Sequence, residues 1–141
     1  GDNEKLLQYS EKVYDLKKSD SDEYMMDSLF NIIGSYIDSN NFEQAKKYSK
    51  LALAAAIKTK SKYDEFRALK YYCDIYKYKG ETEISIEYLL KCIDIVSTLD
   101  KEEVLGNLYI ELGQLYSGIS KDKELECYQK GVTIFKNLEI I

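Results

Sequence analysis

Apolar residues recur along this chain at intervals of three and four, the spacing that sets side chains on one face of an α-helix, and no stretch alternates in the manner of a half-buried strand. The first such face is Leu6, Tyr9, Val13 and Leu16, over residues 4–17. Polar clusters divide the rest of the chain. Ser19-Asp20-Ser21-Asp22 is a turn in which Asp20 and Glu23 have capping-box spacing, ahead of a helix over 22–39. Asn41 with Gln44 repeats that logic before a helix over 42–58, and Ser61 with Asp64 opens the next, which Gly80 stops as a C-terminal glycine cap. Another helix covers 82–98. Asp100 with Glu103 opens the sixth, and Gly118-Ile119-Ser120 separates it from a seventh over 121–138. Proline is absent, so seven antiparallel helices with short loops are predicted, an all-α chain.

Shifted by 40 residues, the sequence matches itself in residue class. Tyr36, Tyr76 and Tyr116 coincide, as do Tyr48, Tyr88 and Tyr128, with Leu29/Leu69/Tyr109, Ile32/Tyr72/Leu112, Ile33/Cys73/Gly113, Ala45/Ser85/Leu125 and Ala52/Cys92/Val132 between them. A fixed period of this length marks stacked helical hairpins, each burying the apolar face its neighbour leaves open. The units are a half repeat over 4–18 and repeats over 22–59, 61–99 and 100–138. Because 4–17 matches the second half of a repeat, the chain reads as a fragment of a longer protein. The predicted core includes Leu29, Ile32, Ile33, Tyr36, Leu69, Tyr72, Cys73, Tyr76, Leu89, Cys92, Leu112, Tyr116 and Val132, with Cys73 and Cys92 facing one another. Leu138, Ile140 and Ile141 form an apolar tail, and self-association, such as a homodimer, is expected through a helix end.

Charge narrows the partners. The net charge is −5, which argues against direct nucleic-acid contact by this domain. Ten basic and three acidic residues fall between positions 46 and 79, so the centre is basic and the flanks acidic. No membrane span or signal peptide is seen, and a cytoplasmic setting is the expectation. The three cysteines are scattered and there is no histidine, so neither a metal site nor a cofactor is implied. Gly106 and Gly113 lack the spacing of a phosphate loop, and no pair of carboxylates stands out. The chain reads as non-enzymatic.

Each hairpin resembles a tetratricopeptide repeat: a large apolar residue, a Leu-Gly-like pair, an aromatic three residues on, then a small residue opening the second helix and another seven later. The middle hairpin has Leu69, Tyr72-Cys73, Tyr76, Ser85 and Cys92 at these points. Leu125 and Val132 are large for the last hairpin, which leaves open a second register in which Gly131 takes the tight contact. A proline-free repeat of this length is also similar to the C-terminal repeat domains of bacterial peptide-sensing transcriptional regulators and to Rap-like proteins.

The resemblance implies an α-α superhelix of about three and a half hairpins whose first helices line a concave groove. Groove positions carried over are Asp27, Phe30, Asn31, Gly34 and Ile37, then Arg67, Lys70, Tyr71, Asp74 and Lys77, then Asn107, Ile110, Glu111, Gln114 and Ser117. From these the expected peptide-binding residues are Asn31, Arg67, Lys70, Tyr71, Asp74, Lys77, Asn107, Glu111 and Gln114. Amides can donate and accept along an extended backbone, and Arg67, Lys70 and Lys77 share a helix face suited to an acidic group. The expected function is a ligand-sensing or docking module of a regulator that binds a peptide or protein partner. The alternative is an oligomerisation scaffold with an idle groove.

Overall fold

A computed structural model describes the backbone of residues 2–17 and 22–140 and the side chains of 4–12, 14–15 and 25–139. The expected Asp20–Glu23 capping box, Val13 and Leu16 in the first helix and Ile140 and Ile141 in the tail lie outside the described side chains. Seven helices follow one another: α1 Asp2–Lys17, α2 Asp22–Asp38, α3 Phe42–Lys58, α4 Lys62–Tyr78, α5 Thr82–Val96, α6 Glu102–Tyr116 and α7 Lys121–Ile140. Among the described residues there is no strand, and no helix is long and apolar enough to cross a membrane. Helices α2–α3, α4–α5 and α6–α7 form hairpins, α1 packs on α2, and the hairpins stack as an α-α superhelix.

The turns follow from local chemistry. A left-handed residue ends successive helices: Asn40, Lys60, Gly80, Asp100 and Gly118, with φ between 53° and 84°. Beyond three of them the next N–H reaches back five residues, Asn41 to Tyr36 and Glu81 to Tyr76 at 2.8 Å and Ser61 to Ala56 at 3.0 Å, which satisfies carbonyls the helix leaves open. The Asn41 side chain accepts from the Gln44 N–H and Ser61 from the Asp64 N–H, as the spacing predicts. Asp100 departs from prediction. It is spent on the left-handed turn, which Asp tolerates, so Lys101 becomes the N-cap of α6 and makes no side-chain capping bond.

Helix α4 lies between two cores. Its Ala68 and Ile75 join Leu29, Phe30, Ile33, Ala45 and Ala52 on one side. Its Phe66, Leu69 and Cys73 join Leu89, Cys92, Val96, Leu108 and Leu112 on the other. Leu29, Ile32, Ile33, Ile75 and Leu89 are fully buried, each worth roughly 1.5–3 kcal/mol. Tyrosines pack as expected, but among the described residues only Tyr72 is buried; Tyr36, Tyr76 and Tyr116 are half-buried because their hydroxyl ends reach solvent or a partner. Tyr72, Tyr88 and Tyr76 stack in sequence at 5.1 and 5.6 Å, with Lys46 and Lys79 over Tyr76 and Lys91 over Tyr88.

Three core expectations are corrected. Val132 is 46% exposed, and Gly131 takes the tight contact instead. A Cβ on Gly131 would come within 2.7 Å of Ile110 and 3.1 Å of the Gly106 carbonyl, so α7 sits one residue earlier than a strict 40-residue repeat. Its cause is the Ser117–Ser120 turn: α7 starts at Lys121, 39 residues after Thr82 of α5. Second, Cys73 and Cys92 share one core as expected, but each takes its polar partner elsewhere on the opposite helix. The antiparallel register sets Cys73 Sγ 3.2 Å from Ser85 Oγ, and Cys92 Sγ donates to the Phe66 carbonyl at 3.7 Å. Third, α1 faces α2 with Leu7, Ser10, Glu11 and Tyr14 rather than with Leu6 and Tyr9, which are 51% and 68% exposed. In register, Leu6 and Tyr9 match Ser85 and Tyr88, the face α5 turns to α4, and no described helix covers it on α1.

Candidate functional site

Helices α2 and α4 run against each other, and α4 is tied to α6 by a side-chain ion pair, so α2, α4 and α6 share one side of the stack. On that inner side, residues one turn apart on α4 reach both neighbours. The Arg67 guanidinium lies 4.2 Å over the Phe30 ring of α2, which also stacks on Tyr71 at 5.5 Å. Its ion pairs with Asp64 and Asp27 are loose, at 3.6 and 3.9 Å, and a third of the side chain is exposed. One turn on, Lys70 Nζ sits between Asp74 at 2.7 Å and Glu111 of α6 at 2.9 Å. Burial alone would lower the Lys70 pKa, but the two carboxylates outweigh it and hold it raised. Burial also raises the Tyr71 hydroxyl, which stays a donor.

Arg67, Lys70, Tyr71 and Asp74 line, with Phe66, a recess of about 230 Å³. Of the expected peptide-binding residues, the structure brings together Arg67, Lys70, Tyr71, Asp74 and Glu111. Asn31, Asn107 and Gln114 are exposed on α2 and α6 and do not line this recess. Lys77 stands apart, exposed in the last turn of α4 with its amine 5.4 Å from the Tyr78 ring. The basic stripe is thus altered: Lys70 is neutralised, and only Arg67 of the cluster keeps loosely paired donors. Among the other groove positions Phe30 and Ile37 are buried, and Ile110 packs against Gly131, since apolar side chains on these helices turn into the stack.

Cys73 Sγ and the Asp74 and Glu111 carboxylates lie within 4.8 Å of one another, a group that could hold a cation. The Lys70 ammonium already supplies that charge to both carboxylates. Burial pushes the Cys73 thiol up to about 11, so it stays protonated. Phe66 is the site residue the sequence reasoning missed. It lies one residue before Arg67 and four before Lys70, but nothing in its type distinguished it from core. A larger recess, about 530 Å³, lies elsewhere, between α6 and α7, lined by Leu105, Tyr109 and Ile134 among others and by none of the expected residues.

No family model matches the chain, and no curated protein does. Solved structures match in fold. A crystal structure described as BtubC (BKLC) from P. vanneervenii superposes over 97% of this chain with a TM-score of 0.83 at 16% identity. The chain spans 57% of that protein's length. At this identity the likeness shows the fold, a packed all-helical array.

Proposed function

We propose that the chain is a protein- or peptide-binding module of the tetratricopeptide type, the sensing or docking part of a larger cytoplasmic regulator, and that its ligand lies along the inner face of α2, α4 and α6. One observation carries the reading: the recess is lined by α4, and its lining side chains are held from both neighbouring hairpins, Arg67 and Tyr71 by Phe30 of α2 and Lys70 by Glu111 of α6. A guanidinium stacked on an aromatic ring and loosely paired offers a fixed fork to a ligand carboxylate. The exposed amides Asn31, Asn107 and Gln114 suit the backbone of an extended peptide. Lys70, Asp74 and Glu111 act here as the wall that joins two hairpins.

Panning a peptide library on the purified chain, then titrating the hits into the parent and Arg67→Ala, tests this. Hits should carry an acidic residue or free C-terminus and lose about tenfold in affinity to Arg67→Ala, the size of one charge-assisted contact. Thermal unfolding should fall only slightly, because the ion pairs lost are loose and partly exposed. Hits that bind both proteins equally, or that map to α3, α5 or α7, would remove the inner face from consideration.

A further inference from the structure

In α5 the stripe Ile86, Leu89, Ile93 and Val96 is buried together with Leu105, Leu108, Leu112 and Leu115 of α6. With Gly131 standing where Cys92 stands, the same stripe on α7 is Leu125, Tyr128, Val132 and Phe135. Here α6 covers only part of it, and no described helix covers Leu125 and Val132. Leu125 and Val132 are 54% and 46% exposed, and the half-buried Tyr128 and Phe135 rings lean on Gly113 and Gly106 of α6. An aliphatic and aromatic surface continuous with an internal interface is unfinished by the logic of the stack.

The residues at its two ends say what finishes it. Lys121, Leu125, Tyr128, Val132, Phe135 and Glu139 follow one another at steps of four and three, the two apolar positions of a heptad over about 27 Å of helix. Laid antiparallel on a second copy of itself, the stripe sets Leu125 against Phe135, Tyr128 against Val132 and, at both ends, Lys121 against Glu139. Laid parallel, it would set Lys121 against Lys121 and Glu139 against Glu139. We propose that α7 is a dimerisation helix that pairs antiparallel with α7 of a second copy about a two-fold axis near Lys130. The contact is self-complementary and closes on itself, so it gives dimers and no fibres. It is independent of the peptide-binding reading.

Sedimentation equilibrium on the whole chain, 16.4 kDa per copy, should show a reversible dimer. Val132→Glu should give a monomer with the helical content and unfolding temperature of a folded chain. Lys121→Glu and Glu139→Lys should each raise the dimer dissociation constant about tenfold, because every dimer holds the pair twice, and the two together should restore it. A parent that stays monomeric at every attainable concentration, a Val132→Glu protein that still dimerises, or a double swap no better than the singles would each overturn the proposal.

Discussion

Hairpins α4–α5 and α6–α7 occupy equivalent places in the stack and solve the same close approach with different chemistry. In the first, the small residues are Cys73, Ser85 and Cys92, all fully buried and tied to the opposite helix by hydrogen bonds: Ser85 Oγ donates to the Cys73 carbonyl at 2.8 Å and Cys92 to that of Phe66. In the second they are Gly106, Gly113 and Gly131, and the space is filled by Phe135, Tyr128 and Ile110 from across the contact. A helix pair can thus be closed by a short polar side chain that bonds backbone or by removing the side chain and receiving a large one. The first keeps the 40-residue register. The second tolerates a slip of one residue, because a ring over a glycine carries no fixed bonding partner.

The contrast is broken most severely at Gly131. A leucine there would drive its first carbon into Ile110 and the Gly106 carbonyl, and backbone cannot rotate away; Gly131→Leu should destabilise by about 3 kcal/mol or more in urea unfolding. Cys73→Leu, which overfills the other hairpin, should cost about 2 kcal/mol, since a thiol already occupies part of the space. A Cys73→Leu protein less stable than Gly131→Leu would mean that the bonded contact, and not the glycine one, is the tighter.

Helix boundaries and most of the core were legible because they rest on local signals. Asn41 and Ser61 cap as their spacing says, and Leu29, Ile32, Ile33 and Leu89 bury as their periodicity says. Contacts set by the pairing of one helix against another were less legible. Val132 and Gly131 compete for one place, and the length of the Ser117–Ser120 turn decides between them. At the inner face, the clustering of Arg67, Lys70, Tyr71 and Asp74 followed from their spacing on α4. That Glu111 would neutralise Lys70 depended on α6 arriving 41 residues later at the right height.

Alkaline pH should separate the hairpins more gently. In the folded chain Cys73 is pushed up from 9.0 to about 11 by burial, and burial raises Cys92, Tyr72 and Tyr88 as well. A raised folded value means that the native state holds the proton more tightly than the unfolded one. The associated stability is complete below about pH 9 and is lost as pH rises toward 11. The unfolding temperature should therefore fall across that window, and fall less in a Cys73→Ala, Cys92→Ala double variant. An equal fall in both proteins would place the sensitivity outside the two thiols.

The smallest effect is also the most discriminating, because two opposed terms nearly cancel. At Gly113 an added methyl would lie 2.6–2.7 Å from the Tyr128 ring, which is closer than real contacts allow, so something must give. What gives is a half-buried side chain, free to swing toward the open side of α7. Meanwhile alanine in a helix interior is favoured over glycine by about 1 kcal/mol. Gly113→Ala should then lie within about 0.5 kcal/mol of the parent, whereas Gly131→Ala, set against Ile110 and a carbonyl, should lose more than the propensity gain returns. The pair of variants, measured by urea unfolding, reads out whether an aromatic over a glycine is a rigid closure or one that yields. A Gly113→Ala protein as unstable as Gly131→Ala would show that the Tyr128 ring is held in place as firmly as backbone.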